Sequence, residues 1–228
     1  MKVAAVSDLH GFLPDIPSAD VLLIAGDICP NLSRGEVKDA MRQIEWLQFE
    51  FRLWLESLDV GKVIAVAGNH DWCFYCDETK QRARHLGLPW VYLEDSGVIF
   101  EGVRFWGSPW QQRFFDWAFN LDEKDLREKW AMIPQDVDVL VTHSPPNMAT
   151  MPACGDMTAK SEHVGSPSLR QRIEVVRPSL HVFGHIHNGR GHWTYDEMQL
   201  ANVTVVDERY RLVYQPMIFE VTPKGEAR

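Results

Sequence analysis

DVLLIAGDI at residues 20–28 and KVIAVAGNHD at residues 62–71 decide how this chain folds. Each is a short apolar run, rich in Val and Ile, that stops on a Gly followed by a polar residue. Continuous apolar runs of this length suit strands buried on both faces, not the alternating pattern of a half-exposed strand. Three more stretches follow the same rule: KVAAVSDLH (2–10), DVLVTHSPP (138–146) and LHVFGHIH (180–187). Between the second and third runs, Val37, Met41, Ile44, Trp46, Leu47, Phe51, Leu55 and Leu58 recur at helical spacing and predict a helix over 35–58. Shorter helices are predicted over 78–87, 123–131 and from Ser166-Pro167 to Val176, with Pro in the first turn. Val98, Phe100, Val103 and Phe105 around Glu101-Gly102 read as a hairpin. Val203, Val205, Val213 and Ile218–Val221 suggest further antiparallel strands. The whole reads as α/β, with two sheets between helices.

Metal-capable residues sit directly after all five apolar runs. Asp8 and His10 follow the first, Asp27 the second, Asn69 and His70 the third, His143 the fourth, and His185 and His187 the fifth. The carboxyl ends of strands line the ligand crevice of an α/β sheet, so the five sets should converge. Gly26, Gly68 and Gly184 immediately precede ligand positions, where a missing side chain lets the backbone come close. Oxygen and imidazole donors without thiolate suit Mn²⁺, Zn²⁺, Fe and related ions. Two metals about 3.5–4 Å apart are a recurrent solution for phosphate-ester hydrolysis, and they lower the pKa of a shared water toward about 7. Asp, Asn and His at strand ends also serve as turn formers, but eight such positions, one set after each of five strands, exceed what turns require.

In order, the motifs are Asp-x-His (8–10), Gly-Asp (26–27), Gly-Asn-His-Asp (68–71), a lone His (143) and Gly-His-x-His (184–187). Together they resemble the calcineurin-like metallophosphoesterases over residues 3–187. GSPWQQRFFDWAFN (107–120) and HVFGHIHNGRG (181–191) resemble a smaller, phosphodiesterase-like branch, the metallophosphoesterase-domain proteins. The resemblance implies a single domain over 1–228. It implies a four-layer α/β/β/α sandwich of two mixed sheets, with a binuclear metal site at the C-terminal ends of the strands. One metal would take Asp8, His10, Asp27 and His187; the other would take Asp27, Asn69, His143 and His185, with Asp27 bridging. His70 would stand beside the leaving group, binding substrate and acting as proton donor or transition-state stabiliser. Two divalent ions are implied, Mn²⁺ in vitro, with Fe, Zn, Ni or Co as other occupants. The implied reaction is in-line attack of a metal-bridging hydroxide on a small cyclic or nucleotide-derived phosphodiester. Phosphomonoesterases and nucleases use the same ligand set. A scaffold with a relict site is the reading from another class, and it predicts lost ligands, none of which is lost here. Gly-Asp continues as Ile-Cys-Pro-Asn (28–31), which departs from the protein-phosphatase pattern.

The remaining composition narrows the class. At 45% hydrophobic and 24% charged, the 228-residue chain is of ordinary globular composition. A net charge of −9 argues against a general nucleic-acid binder, which must neutralise phosphates. No apolar run is long enough for a membrane span, and the N-terminal apolar stretch is too short for a signal-peptide core. Cys29, Cys73, Cys76 and Cys154 are therefore expected as reduced thiols in a cytoplasmic protein, with Cys73-x-x-Cys76 filling space. His181 inside a strand is expected in the core, and His85, His163 and His192 outside the ligand set. Trp72, Trp106, Trp110 and Trp117 are expected to serve packing. The aperiodic segment 147–166 is expected to wall the substrate pocket, and Asn188 and Arg190 to lie near a phosphate. The pattern leaves the oligomeric state open.

Overall fold

In the computed structural model of the chain, the described residues are 1–31 and 37–224. The strands in chain order begin with β1 (Lys2–Val6), β2 (Ala19–Ala25), β3 (Val60–Val66) and β4 (Val91–Tyr92). Next come β5 (Ser96–Phe100), β6 (Val103–Ser108), β7 (Gln111–Gln112), β8 (Asn120–Leu121) and β9 (Val139–Thr142). The last are β10 (Leu180–Phe183), β11 (Gly191–Tyr195), β12 (Met198–Asn202) and β13 (Met217–Glu220). One mixed sheet has the order β13-β1-β2-β3-β4, antiparallel only at β13. The other has the order β11-β12-β10-β9-β6-β5, parallel in its middle and antiparallel at both edges. The short strands β7 and β8 pair separately.

The side-chain period of two sorts each central strand between two cores. Val3 and Ala5 of β1, with Val21, Leu23 and Ala25 of β2, face Val139, Val141, Leu180 and Val182 of the second sheet. Their alternates Ala4, Val6, Leu22 and Ile24 pack under the helices that follow β2 and β3. On the far side, Leu140 and Phe183 meet Leu126, Trp130, Leu169 and Ile173 of the helices over Glu123–Ala131 and Pro167–Val176. Helix, sheet, sheet, helix is the expected four-layer sandwich, and burial on both faces is why the strands lack alternation.

The helices depart from expectation in detail. The predicted helix over 35–58 consists of α1 (Val37–Trp46), a π-helical turn over Leu47–Phe51 and α2 (Arg52–Ser57); residues 35 and 36 lie outside the described residues. A π turn superposes residues five apart, and Trp46 and Phe51 stack with ring centroids 5.3 Å apart. The 78–87 prediction shrinks to α4 (Lys80–Arg84), preceded by the single turn α3 (Trp72–Tyr75). Helix α5 covers Glu123–Ala131 as predicted, and α6 covers Pro167–Val176, capped by Ser166, whose Oγ accepts from the Leu169 amide. The hairpin turns on Glu101 and Gly102, both at positive φ, as a type I′ turn requires. Near the C-terminus, Val203, Val205 and Val213 stand outside regular strands. β12 instead runs parallel to β10 and antiparallel to β11, whose residues read as loop because an edge strand needs no apolar run. Among the described residues, no helix is long and apolar enough to cross a membrane.

His181 lies in the core, as expected, and is fully buried. The Thr142 hydroxyl gives its one proton to the Ser144 carbonyl, so His181 Nε2 donates to Thr142 Oγ1 at 2.8 Å and Nδ1 is left as an unpaired acceptor. Burial pushes the His181 pKa down to about 3. The unfolded chain therefore binds this proton first, and stability falls as pH drops through the window from 6.5 toward 3. The loss of urea midpoint between pH 7.5 and pH 5.5 should be smaller in His181→Leu than in the unsubstituted chain; an equal loss would contradict the assignment.

Candidate metal centre

Five strand ends meet at one end of the two-sheet sandwich. Beyond β1 and β2 the backbone stays zipped: Asp8 N donates to Gly26 O at 3.0 Å, His10 N to Asp27 O at 2.8 Å and Gly11 N to Ile28 O at 3.0 Å. Ser7 N donates across to Val203 O and joins the second sheet, and Gly184 N donates to His143 O beyond β10 and β9, each at 3.0 Å. Asp8, His10, Asp27 and His185 all carry positive φ, which non-glycine residues adopt at a cost of about 1–3 kcal/mol each. Four such residues in one small volume mark a strained site. Gly184 explains part of the sequence pattern: a Cβ there would overlap Ser7 Oγ and an Asp8 carboxylate oxygen.

The structure brings all eight predicted residues together. Asp8 is 0% exposed and Asp27 2%. Each carboxylate is aimed by a backbone amide: His185 N donates to Asp8 at 3.1 Å, and His70 N donates to Asp27 at 2.8 Å. His187 Nε2 stands 3.4 Å from Asp8, and His10 Nε2 stands 3.7 Å from Asp27 and 3.4 Å from His187 Nε2. His143 Nε2 lies 3.5 Å from Asp27 and 2.9 Å from Asn69 Oδ1, which also lies 2.9 Å from His185 Nδ1. Three donor triads close within 4.8 Å: Asp8–His10–His187, Asp8–Asp27–His143 and His10–Asp27–His70. Asp27 is common to two of them, as a bridging ligand would be, but so are Asp8 and His10. His70, read as a non-ligand, is also close, with Nε2 4.0 Å from Asp27.

The donor set fits divalent cations on two grounds. Imidazole-to-carboxylate gaps of 3.4–3.7 Å are too long for good hydrogen bonds. They match neighbouring ligands around one ion at donor distances of about 2.0–2.2 Å. Moreover, three rings are turned by oxygen acceptors behind them. His10 Nδ1 meets Asn31 Oδ1 at 2.8 Å, His143 Nδ1 meets Ala25 O at 2.9 Å and His187 Nδ1 meets Asp207 O at 3.1 Å. Each contact places the proton on Nδ1 and turns Nε2 inward, the arrangement metal-binding histidines use.

Charge tells the same story. No Lys or Arg pairs with Asp8 or Asp27 among the described residues; only histidines face them. Burial alone would raise both carboxyls, but His187 and His143 bring Asp8 down to about 2, and His143 and His70 hold Asp27 well below the usual range. Burial lowers His10 to about 4 and, with the His143 charge, His185 to about 3, keeping both neutral with lone pairs free. His143 resists burial because Asp27 faces it, and rises to about 9. An imidazolium thus balances the carboxylates where metal ions would otherwise do so.

Asp71 does not orient the His70 ring. Its buried carboxylate accepts from the amides of Ile28, Cys29 and Gly68 at 3.1, 2.8 and 2.8 Å, tying the Gly-Asp loop to the Gly-Asn-His loop. Burial and the Asp27 charge raise it to about 6 against those three donors. The cleft above the cluster encloses about 1400 Å³. Asn147, Thr158, His163, Val164 and Gly165 line it, so segment 147–166 is a wall, as expected. Trp117 is more than packing: its ring lies 4.2 Å from that of His70. Tyr210 was missed; it meets the His10 and His187 rings edge-on at 4.7 and 5.1 Å, and only its place in the loop after β12 could have flagged it. Arg190 donates to the Thr204 and Gln215 carbonyls, and neither it nor Asn188 lines the cleft. His85 and His192 also stand apart from it. Trp110 donates to Asp95, Trp106 packs on α5 and α6, and Trp72 reaches the cleft margin. Cys73 packs against Cys29, Sγ to Sγ 3.8 Å; all four cysteines are free.

Comparison with known proteins agrees with this geometry. The calcineurin-like phosphoesterase family matches residues 1–189. The chain is 34% identical over 250 residues to metallophosphoesterase domain-containing protein 1 of Homo sapiens, covering 98% of this chain and 72% of that protein. It is 30% identical over 251 residues to a UPF0046 protein of Caenorhabditis elegans, covering 100% of this chain and 84% of that one. Among solved structures it is similar in fold to phosphopantetheinyl hydrolase of Mycobacterium tuberculosis. That likeness has a TM-score of 0.59 at 15% identity, over 92% of this chain and 90% of that chain. Motif order, sheet topology and sequence identity lead to one conclusion: the chain belongs to the calcineurin-like phosphoesterases, metal-dependent hydrolases of phosphoric esters.

Proposed function

We propose that the chain, as one domain over 1–228, hydrolyses a small phosphodiester with two divalent cations. Asp8, His10, Asp27 and His187 would hold one cation, and Asp27, Asn69, His143 and His185 the other. Mn²⁺ suits this oxygen and imidazole set in vitro, and Fe, Zn, Ni or Co suit it as well. When bound, the cations supply positive charge toward the phosphoryl oxygens and lower the pKa of coordinated water.

The chain's own groups do the rest. The amides of His70 and His185 keep the carboxylates aimed, so little reorganisation accompanies binding. His70 lies at the foot of the cleft with its ring 11% exposed. Burial lowers its pKa, and a phosphoryl anion beside it opposes that effect and favours the protonated ring. A proton held there is placed to pass to a departing alkoxide or aryloxide. Trp117, its ring tilted 33° against that of His70, gives that leaving group an apolar surface.

The observation that favours a diester over a monoester is the charge of the cleft lining. Outside the metal cluster, and among the described residues, it carries the acidic Asp116 and Glu208, against one Arg113 already paired with Asp122 at 2.8 Å. A singly charged diester suits that rim better than a doubly charged monoester. Metal-free protein refilled with Mn²⁺ should turn over bis-p-nitrophenyl phosphate well above p-nitrophenyl phosphate. Monoester turnover at or above the diester rate would reverse the reading.

Two variants test the roles. Asp27→Ala should lose both metals, read by elemental analysis; retention of two per chain would refute a shared carboxylate. His70→Gln should keep both metals and lose about 10²–10⁴-fold in kcat, the usual range for removing a general acid. A rate near that of the unsubstituted chain would remove His70 from the mechanism.

A further inference from the structure

Of the four histidines outside the cluster, His163 alone lines the cleft. It sits in the 147–166 wall, where residues 157 and 163 bridge antiparallel and Thr158 N donates to Glu162 O at 2.9 Å. Its Nδ1 lies 2.7 Å from Asp156 Oδ1. Asp156 is 0% exposed, and its other oxygen accepts from the amides of Met148 and Gly165 at 3.0 and 3.2 Å. A carboxylate accepts only, so Nδ1 carries the proton. Nε2 has no partner among the described residues and is not buried. A buried carboxyl group needs hydrogen-bond partners to offset its burial, and here two amides and the His163 imidazole supply them. Clamped to an imidazole, it fixes both the tautomer and the direction of Nε2. His85, by contrast, rests on the Gln81 carbonyl of its own helix, on the surface.

We propose that His163, positioned by Asp156, is a substrate-contacting residue whose Nε2 hydrogen-bonds a hydroxyl on the ester substituent that stays on phosphorus. The assignment rests on the phosphodiester reading. In that reading the leaving group lies against His70 and Trp117. The retained substituent then meets the polar wall, where Asn147 and Thr158 accompany His163. A site that hydrogen-bonds a substrate hydroxyl discriminates strongly against the analogue lacking it.

The test uses a matched pair of substrates, p-nitrophenyl glyceryl phosphate and p-nitrophenyl propyl phosphate, with the full chain refilled with Mn²⁺. The unsubstituted chain should prefer the glyceryl ester in kcat/KM. His163→Asn keeps an amide donor toward Asp156 and removes only the Nε2 position. The preference should fall about tenfold in this variant, carried by KM, with the metal content and urea midpoint unchanged. Asp156→Asn should lower the preference in the same sense by loosening the ring. An unchanged preference in His163→Asn, or no preference in the unsubstituted chain, overturns the assignment while leaving the phosphodiester reading intact. Loss of metal from His163→Asn also overturns it, because the effect would then run through the metal cluster. Turnover of neither ester by the unsubstituted chain overturns the phosphodiester reading and this assignment with it.

Discussion

Two carboxylates, Asp8 and Asp27, lie buried side by side with no Lys or Arg near them among the described residues, and much of the architecture serves to keep them there. Burying ionised carboxylates is costly unless positive charge and hydrogen bonds accompany them. Here the hydrogen bonds come from the amides of His185 and His70, and the charge comes from imidazoles. That arrangement favours any divalent cation that can replace the proton on His143. The site is thus built around a charge imbalance that metals correct.

Strain and zipping follow from the same constraint. For both carboxylates to reach one point, β1 and β2 must stop in register and turn sharply, which places Asp8, His10 and Asp27 at positive φ. The hydrogen bonds past the strand ends and the Asp71 carboxylate hold those turns shut. The oxygen acceptors behind His10, His143 and His187 then set the direction of each ring. A histidine–carboxylate pair outside the cluster, His163 with Asp156, repeats this on the wall of the cleft.

The sequence made the centre of this structure legible because the same residues define strands and site. Apolar runs that end in Gly-Asp, Gly-Asn-His and Gly-His-x-His mark both the buried strand and the ligand at its end. The helix α5 was equally plain, since its apolar positions and acidic first turn are local. What depends on distant partners was hidden. Edge strand β11 has no apolar signature, and the π turn at Leu47–Phe51 answers to the packing of Trp46 on Phe51. Asp71 is the neighbour of His70 in sequence, whereas it bonds a loop some forty residues earlier. Trp117, Tyr210 and His163 owe their importance to where long loops return, which no spacing records.

The central claim is that two cations share one carboxylate between these five strand ends. Electron paramagnetic resonance of metal-free protein titrated with Mn²⁺ tests it most directly. The account predicts two ions bound per chain and, at full loading, the spectrum of a magnetically coupled pair. A six-line spectrum of isolated Mn²⁺ that saturates at one ion per chain would contradict it.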